Sequence, residues 1–412
     1  MSNELSERPK VFLSKVHFKG YKSIDDLEID LKNGLNILIG KNGSGKSNFI
    51  ELIYHYMIFN RNRNKILFDY AKASFISNDN HSFEIELERY IRKIDAEQSI
   101  EENSIDDRIG VHERFFIDGS IKFDYKINKN NNNAIGLFKF NNKNIVYNLN
   151  KNLLFNKLGY QSSYPLYIKF DLPEYLGFLK DSGYLKLEIE KIDNETFIDL
   201  DEYSDTLNFL TSIIWNVQSH LHNYENNLEK IDSNTVSEMF VIPKQILENL
   251  KLYSPVQDIR FNKTVNIYLQ EKHILIDNIR LEFKINGIWL PWSQLSDGTK
   301  RLFYIIAETT YSNGLILIEE PELGIHPHQF NLLMNFLKEQ SETKQILIST
   351  HSPKALDHLS EDELDSILIA SYNLKKGTQI RHLTTDEIKK AKKYMNEVGF
   401  FSDYWMFSDL EE

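Results

Sequence analysis

The chain has 412 residues, 41% of them hydrophobic, with a formal net charge of −12 and no cysteine. That length and apolar content are enough for more than one folded core, while the missing thiols exclude disulfides and thiolate metal sites and fit a reducing, cytoplasmic setting. No apolar run approaches the length of a membrane span and the first ten residues are polar, so a soluble chain is expected; the acidic balance excludes a nucleic-acid binder coated evenly with positive charge but leaves a local basic surface open.

In chain order, the first informative element is the apolar run Leu35 to Ile39, which predicts a buried strand. Gly40-Lys41-Asn42-Gly43-Ser44-Gly45-Lys46-Ser47 follows it and leads into the helix-forming Asn48-Phe49-Ile50-Glu51-Leu52-Ile53. Strand, glycine loop and helix in this order are the setting in which G-x-x-x-x-G-K-[ST] binds a nucleoside triphosphate. Glycines let successive N–H groups face phosphate oxygens, and the helix N-terminus adds partial positive charge. Gly40, Asn42, Gly43, Ser44, Gly45, Lys46, Ser47 and Asn48 are thus the candidate nucleotide contacts, with Lys46 for the outer phosphates and Ser47 for Mg2+. A plain glycine turn is the competing reading, and only the downstream segments discriminate.

The long middle of the chain is rich in Asn, Lys, Ile, Tyr and Phe, and Lys129 to Asn133 reads as a loop tip. Short β-like stretches cover His81 to Tyr90, Arg114 to Tyr125, Gly136 to Tyr147 and Tyr167 to Phe170. Residues 121–170 hold eight lysines against the single acid Asp124, interleaved with Tyr125, Phe138, Phe140, Tyr147, Phe155, Tyr160, Tyr164 and Tyr167. Such a mixture can track a nucleic-acid backbone and stack bases, and it is also what half-buried strands look like in a Lys- and Asn-rich chain. Leu207, Leu210, Ile214, Val217, Leu221, Tyr224, Leu228 and Ile231 form a heptad seam on one long helix, which either packs on its own core or pairs with its copy in a second protomer.

Three further segments carry chemistry. Leu295-Ser296-Asp297-Gly298 precedes an apolar helix and reads as its N-cap, with an exposed hydroxyl and N–H suited to a phosphate. Leu315 to Glu322 is an apolar strand ending in acids, where Glu319 would hold the Mg2+ shell and Glu320 would activate water. Gln345 to Pro353 is another short strand that delivers His351 at its end.

The order of these four motifs resembles ATP-binding-cassette ATPases, in the dialect of the SMC/RecF/OLD branch. Phe18-Lys19-Gly20-Tyr21-Lys22-Ser23-Ile24 is similar to that branch's opening strand, Glu319 to Pro327 to its EEPE…HP run, and Thr350-His351-Ser352-Pro353 to its THSP. The resemblance covers residues 11–60 and 255–385. It implies an α/β ABC/SMC-like P-loop head with a mixed sheet and flanking helices, divided as 1–60 and 255–412 around an inserted α+β domain at 61–254. It further implies ATP and Mg2+ as cofactors, with Glu320, His351 and Lys46 catalytic, Ser47 and Glu319 on the metal, and Ser296 and Gly298 closing the ATP site of an opposite protomer. Tyr21 falls near where the family contacts nucleotide. Glu319 replaces the commoner aspartate, Thr299 stands where many members have glutamine or glutamate, and no Q-loop glutamine can be placed.

By that resemblance the protein is expected to be a cytoplasmic homodimer or higher homo-oligomer joined through its heads. The role implied is that of the stand-alone ATPase of phage-defence systems of the PARIS, Septu or retron type, controlling a separately encoded nuclease or toxin. A RecF-like repair ATPase that binds DNA directly is the second expectation, and a transporter's nucleotide-binding subunit the third. Thr384 to Val398 predicts a capped helix, and the aromatic end Phe400 to Phe407 is expected to dock on its own body.

Overall fold

Strands that are apolar at every residue lie inside a sheet, and strands that alternate keep one face in water. The first unit of this fold contains both kinds. The computed structural model describes residues 10–58, 67–91, 109–127, 136–147, 151–161, 163, 165–169, 184–192, 195–199, 213, 217, 239–262, 264–269, 273–408 and 410. The chain divides into two units, one of residues 1–167, 313–320 and 341–412, the other of 168–312 and 321–340.

In the first unit, β1 (Val11–Tyr21), β2 (Ile24–Asp30) and β3 (Leu35–Ile39) are followed by helix α1 (Lys46–Ile58). Then come β4 (Tyr70–Ser77), β5 (Ser82–Ile91), β6 (Ile109–Ile117), β7 (Ser120–Ile127), the hairpin β8 (Leu137–Phe140) and β9 (Lys143–Val146), helix α2 (Lys151–Leu158) and β10 (Leu166–Ile168). In the second unit lie β11 (Tyr184–Ile192), β12 (Glu195–Asp199), helix α3 (Lys244–Tyr253), β13 (Asp258–Phe261), β14 (Asn266–Leu269), β15 (His273–Ile285), β16 (Ile288–Pro291) and helix α4 (Asp297–Tyr311). The remaining elements are β17 (Ile316–Glu319), helix α5 (Pro327–Ser341), β18 (Ile346–Thr350), β19 (Ile367–Asn373), β20 (Gly377–His382), helix α6 (Thr385–Glu397) and helix α7 (Phe401–Phe407).

One sheet runs β10-β17-β18-β3-β19-β20-β2-β1-β4-β5-β6-β7. Its parallel part is β17, β18, β3 and β19, and the first three are buried at every position. From β20 to β7 the pairing is antiparallel and one face is solvated. That face carries cross-strand charge pairs: Lys19 opposite Asp26, Lys72 opposite Glu86, Glu86 opposite Arg114 and Arg114 opposite Asp124. Partly exposed pairs of this kind contribute at most about 1 kcal/mol each, and opposite signs face each other across the strands.

Helix α1 buries Phe49, Ile50, Leu52, Ile53 and Tyr56. Each such side chain stabilises the fold by about 1.5–3 kcal/mol, which seats the loop before the helix on a rigid base. Strands β4 to β7, in the stretch expected to be an insertion beginning at 61, extend the same sheet as β1 and β2. The stretches read as β-like form β5, β6, β7, β8, β9 and β10. The heptad seam lies outside the described residues except for Val217, which is buried.

At the chain's end, Thr384 caps α6 through a capping box with Glu387. Phe401 and Trp405 of α7 are buried, while Met406 and Phe407 remain exposed. Within the second unit, β15 is the central strand of a six-stranded sheet. Its Phe283 packs edge-on against Phe303 of α4 at 4.9 Å, and Trp292 lies 5.8 Å from both rings. Asn249 of α3 donates to the Thr310 hydroxyl at 2.9 Å, fixing α3 to α4.

Candidate nucleotide site

Three parallel strands stop in register. Leu38 of β3 pairs with Ser349 of β18, which pairs with Glu319 of β17. The residues just past these ends are therefore neighbours at one sheet edge: the loop from Gly40, then His351, then Glu320. The C-terminal edge of parallel strands is where such sheets bind ligands.

The loop bends around the Lys46 ammonium. Lys46 is 5% exposed and its Nζ donates to the Gly40 carbonyl at 2.6 Å and the Lys41 carbonyl at 3.2 Å. Gly45 has φ +95°, and a Cβ there would come within 1.9 Å of the Thr378 hydroxyl, so only glycine is accommodated. Thr378 is itself held by the Ser23 hydroxyl at 2.7 Å, and Ser23 accepts from the Asn48 amide at 2.7 Å. The Ser44 hydroxyl is buried with no hydrogen-bond partner among the described residues. A buried, unanswered hydroxyl beside a buried ammonium and a helix N-terminus is a donor set that wants an anion.

His351 links the loop to the acids. Its Nδ1 lies 3.2 Å from Lys46 Nζ and its Nε2 lies 2.8 Å from Glu320 Oε1. An ammonium can only donate, so Nδ1 accepts and Nε2–H donates to the carboxylate; the tautomer follows from this network. Glu320 has φ +46° and its N–H donates to the Ser349 carbonyl at 2.8 Å. A non-glycine residue in the left-handed region is under local strain, and such strain collects at working sites. Glu319, one residue earlier, is buried and accepts a hydrogen bond from the Tyr167 hydroxyl.

Ser47 is the second residue of α1, and β3, which leads into that helix, lies two strands along from β17, which ends at Glu319. No group of three or more His, Asp or Glu side chains among the described residues cages a metal.

In the second unit, Ser296 caps α4, its hydroxyl accepting from the Thr299 N–H at 3.2 Å and lying 2.9 Å from the Thr299 hydroxyl. Ser296 and Asp297 at this tip are exposed. Thr299, the departure from the family pattern, thus supports the cap. Gly298 is packed so that a Cβ would come within 2.5 Å of the Gly324 carbonyl.

The chain belongs to the AAA_21 family. Residues 35–357 match its description, "AAA domain, putative AbiEii toxin, Type IV TA system", so the chain is a P-loop ATPase of the ABC/SMC/RecF type. Among curated relatives of this AAA_21 protein, the DNA replication and repair protein RecF of Streptococcus pyogenes serotype M1 is 25% identical, over 92% of this chain and 98% of the relative. RecF of Clostridium botulinum (strain Okra / Type B1) is 24% identical over 62% of each chain. An uncharacterised protein of Dictyostelium discoideum is 29% identical over 30% of this chain, which spans only 17% of that protein. Among solved structures, an SMC head bound to the C-winged helix domain of ScpA is 14% identical, with TM-score 0.48 over 92% of this chain and 99% of that one. The SMC head of Thermotoga maritima has TM-score 0.41 over 90% and 99%. No helix among the described residues is long and apolar enough to cross a membrane.

The surroundings of several residues singled out in the sequence are defined by the structure. Tyr21 is 3% exposed, with the Lys22 ammonium 5.2 Å from its ring centroid. Phe140, Tyr147, Phe155 and Tyr160 are buried, and Phe83 packs against Phe140, Phe155 and Tyr160, so these aromatics build a core rather than a stacking platform. Lys151 is also buried and cannot reach a phosphate backbone, whereas Lys126, Lys139, Lys143 and Lys157 are exposed. Two residues of the site, Tyr167 and Thr378, have no signal of their own in the sequence. Tyr167 is one aromatic among many in the basic stretch, and nothing in the residues around Thr378 announces its approach to Gly45.

Proposed function

We propose that the protein is an ATP-hydrolysing head that closes on a second copy of itself and works on DNA, as its RecF relatives are named to do. The observation that carries the hydrolytic part is the continuous Lys46–His351–Glu320 chain at one sheet edge.

ATP would supply a transferable phosphoryl group, and Mg2+ would neutralise phosphate charge. The N–H groups of Gly43 to Ser47 and the Lys46 ammonium hold phosphates, while Ser47 and Glu319 serve the metal side. Glu320 Oε1 is occupied by the His351 Nε2–H, leaving Oε2 to take a proton from water. His351 orients that base and links it to Lys46. The exposed Ser296 hydroxyl and Gly298 N–H of a second copy complete the phosphate shell, because so much negative charge at an interface needs donors from both sides.

Support for DNA as the substrate surface comes from the RecF relatives aligned along almost the whole chain. The test is hydrolysis measured with and without duplex DNA across a salt series. Stimulation that falls steeply with salt is expected. A second reading, an ATPase controlling a separately encoded nuclease or toxin in phage defence, is favoured by the toxin named in the family description. DNA-indifferent hydrolysis, together with a nuclease or toxin co-purifying with Glu320→Gln protein from the native host, would select it.

A further inference from the structure

Glu319 stands where an aspartate is commoner, and the extra methylene adds a rotatable bond. A longer carboxylate at a strand end has more conformers to lose before it can serve a cation. It is only 6% exposed, and a buried carboxylate must have hydrogen-bond donors. One comes from an unexpected place. Tyr167 lies on β10, the edge strand beside β17, fixed there by the Leu166 N–H donating to the Leu315 carbonyl at 2.8 Å. Its hydroxyl donates to Glu319 Oε1, and its ring sits 5.0 Å from that of Tyr54 on α1. The phenol is therefore seated by the phosphate-binding helix while it holds the metal-side acid.

We infer that Tyr167 is a positioning residue for the divalent cation: it selects one Glu319 rotamer, leaves Oε2 for the metal shell, and so sets the Mg2+ affinity of the loaded site. This rests on the nucleotide-binding reading above. A hydroxyl bond to an ionised group is strong enough that its loss shifts a binding equilibrium about tenfold. The effect belongs to the metal, because the hydroxyl touches the carboxylate and the phosphates are held by the loop.

The experiment titrates Mg2+ against binding of a fluorescent ATP analogue by wild type and Tyr167→Phe, with a parallel series in EDTA. The half-saturating Mg2+ concentration is expected to rise about tenfold in Tyr167→Phe, with metal-free nucleotide affinity within about twofold of wild type. In a Glu319→Asp background, where the shortened acid no longer reaches the phenol, Tyr167→Phe should add less than about twofold. An unchanged Mg2+ dependence would overturn the inference, as would an equal loss of affinity with and without metal, which marks a merely structural tyrosine. Wild-type protein that binds no nucleotide under any condition would overturn the function reading and this inference together, a result distinct from both.

Discussion

Lys151 opens α2 with its Nζ donating to the Tyr56 carbonyl at 2.5 Å and lying 4.1 Å from the Tyr56 ring centroid. Tyr56 is in the last turn of α1, so a buried ammonium closes the C-terminal end of the helix whose other end follows the glycine loop. Burial pulls its pKa from 10.5 down to about 7, opposed by the nearby Glu113, which also accepts from the Tyr147 hydroxyl. Between those two pKa values the unfolded chain holds a proton that the folded chain has released, so this residue makes stability rise with pH from about 7 towards 10.5. Lys151→Met is predicted to lose that contribution: from pH 7 to pH 9 the wild-type unfolding midpoint should gain on the variant's. Midpoints that move in parallel would contradict this account. Nothing in the sequence separates Lys151 from its exposed neighbours Lys143 and Lys157, because burial is decided by which strands pair, not by local composition. Lys46, Glu320 and His351 are legible for the opposite reason: each is tied by short spacing to a strand end.

At the scale of elements, α4 shows how one residue serves two ends. Ser296 caps the helix, and under the proposed function its hydroxyl would also be offered to a second copy. Ser296→Ala should cost about 1 kcal/mol of stability. Asp is an equally good cap, so Ser296→Asp should keep the wild-type unfolding midpoint while abolishing ATP-dependent self-association, since it sets a carboxylate against phosphate. A Ser296→Asp protein that still associates with ATP would show that the tip plays no part at the interface. Strands such as β5 and β6 are legible from their alternation. Their membership of the nucleotide-binding sheet is not, because a strand's period of two reveals its faces but not its partner. The α6 capping box and the docking of Phe401 and Trp405 lie at the legible end, being local in sequence.

Over the whole molecule, a net charge of −12 repels DNA unless positive charge is gathered locally. The charges of the antiparallel sheet face opposite signs across the strands, so the exposed lysines of the β8–β9 hairpin are the better candidates. Replacing Lys139 and Lys143 by glutamine is predicted to lower the salt slope of DNA-stimulated hydrolysis, by about one for each lysine that had neutralised a phosphate. Replacing Lys151 should leave that slope unchanged. Dependence of the slope on Lys151 and not on Lys139 or Lys143 would contradict the assignment.

Under the proposed function one copy provides only part of its nucleotide site. Glu320→Gln removes the base while keeping the Lys46 loop intact, so bound ATP should persist. Light scattering on Glu320→Gln protein with ATP and Mg2+ is predicted to give twice the 48.5 kDa mass of a single chain, falling back when nucleotide is removed. Normal ATP binding with the mass unchanged would contradict it.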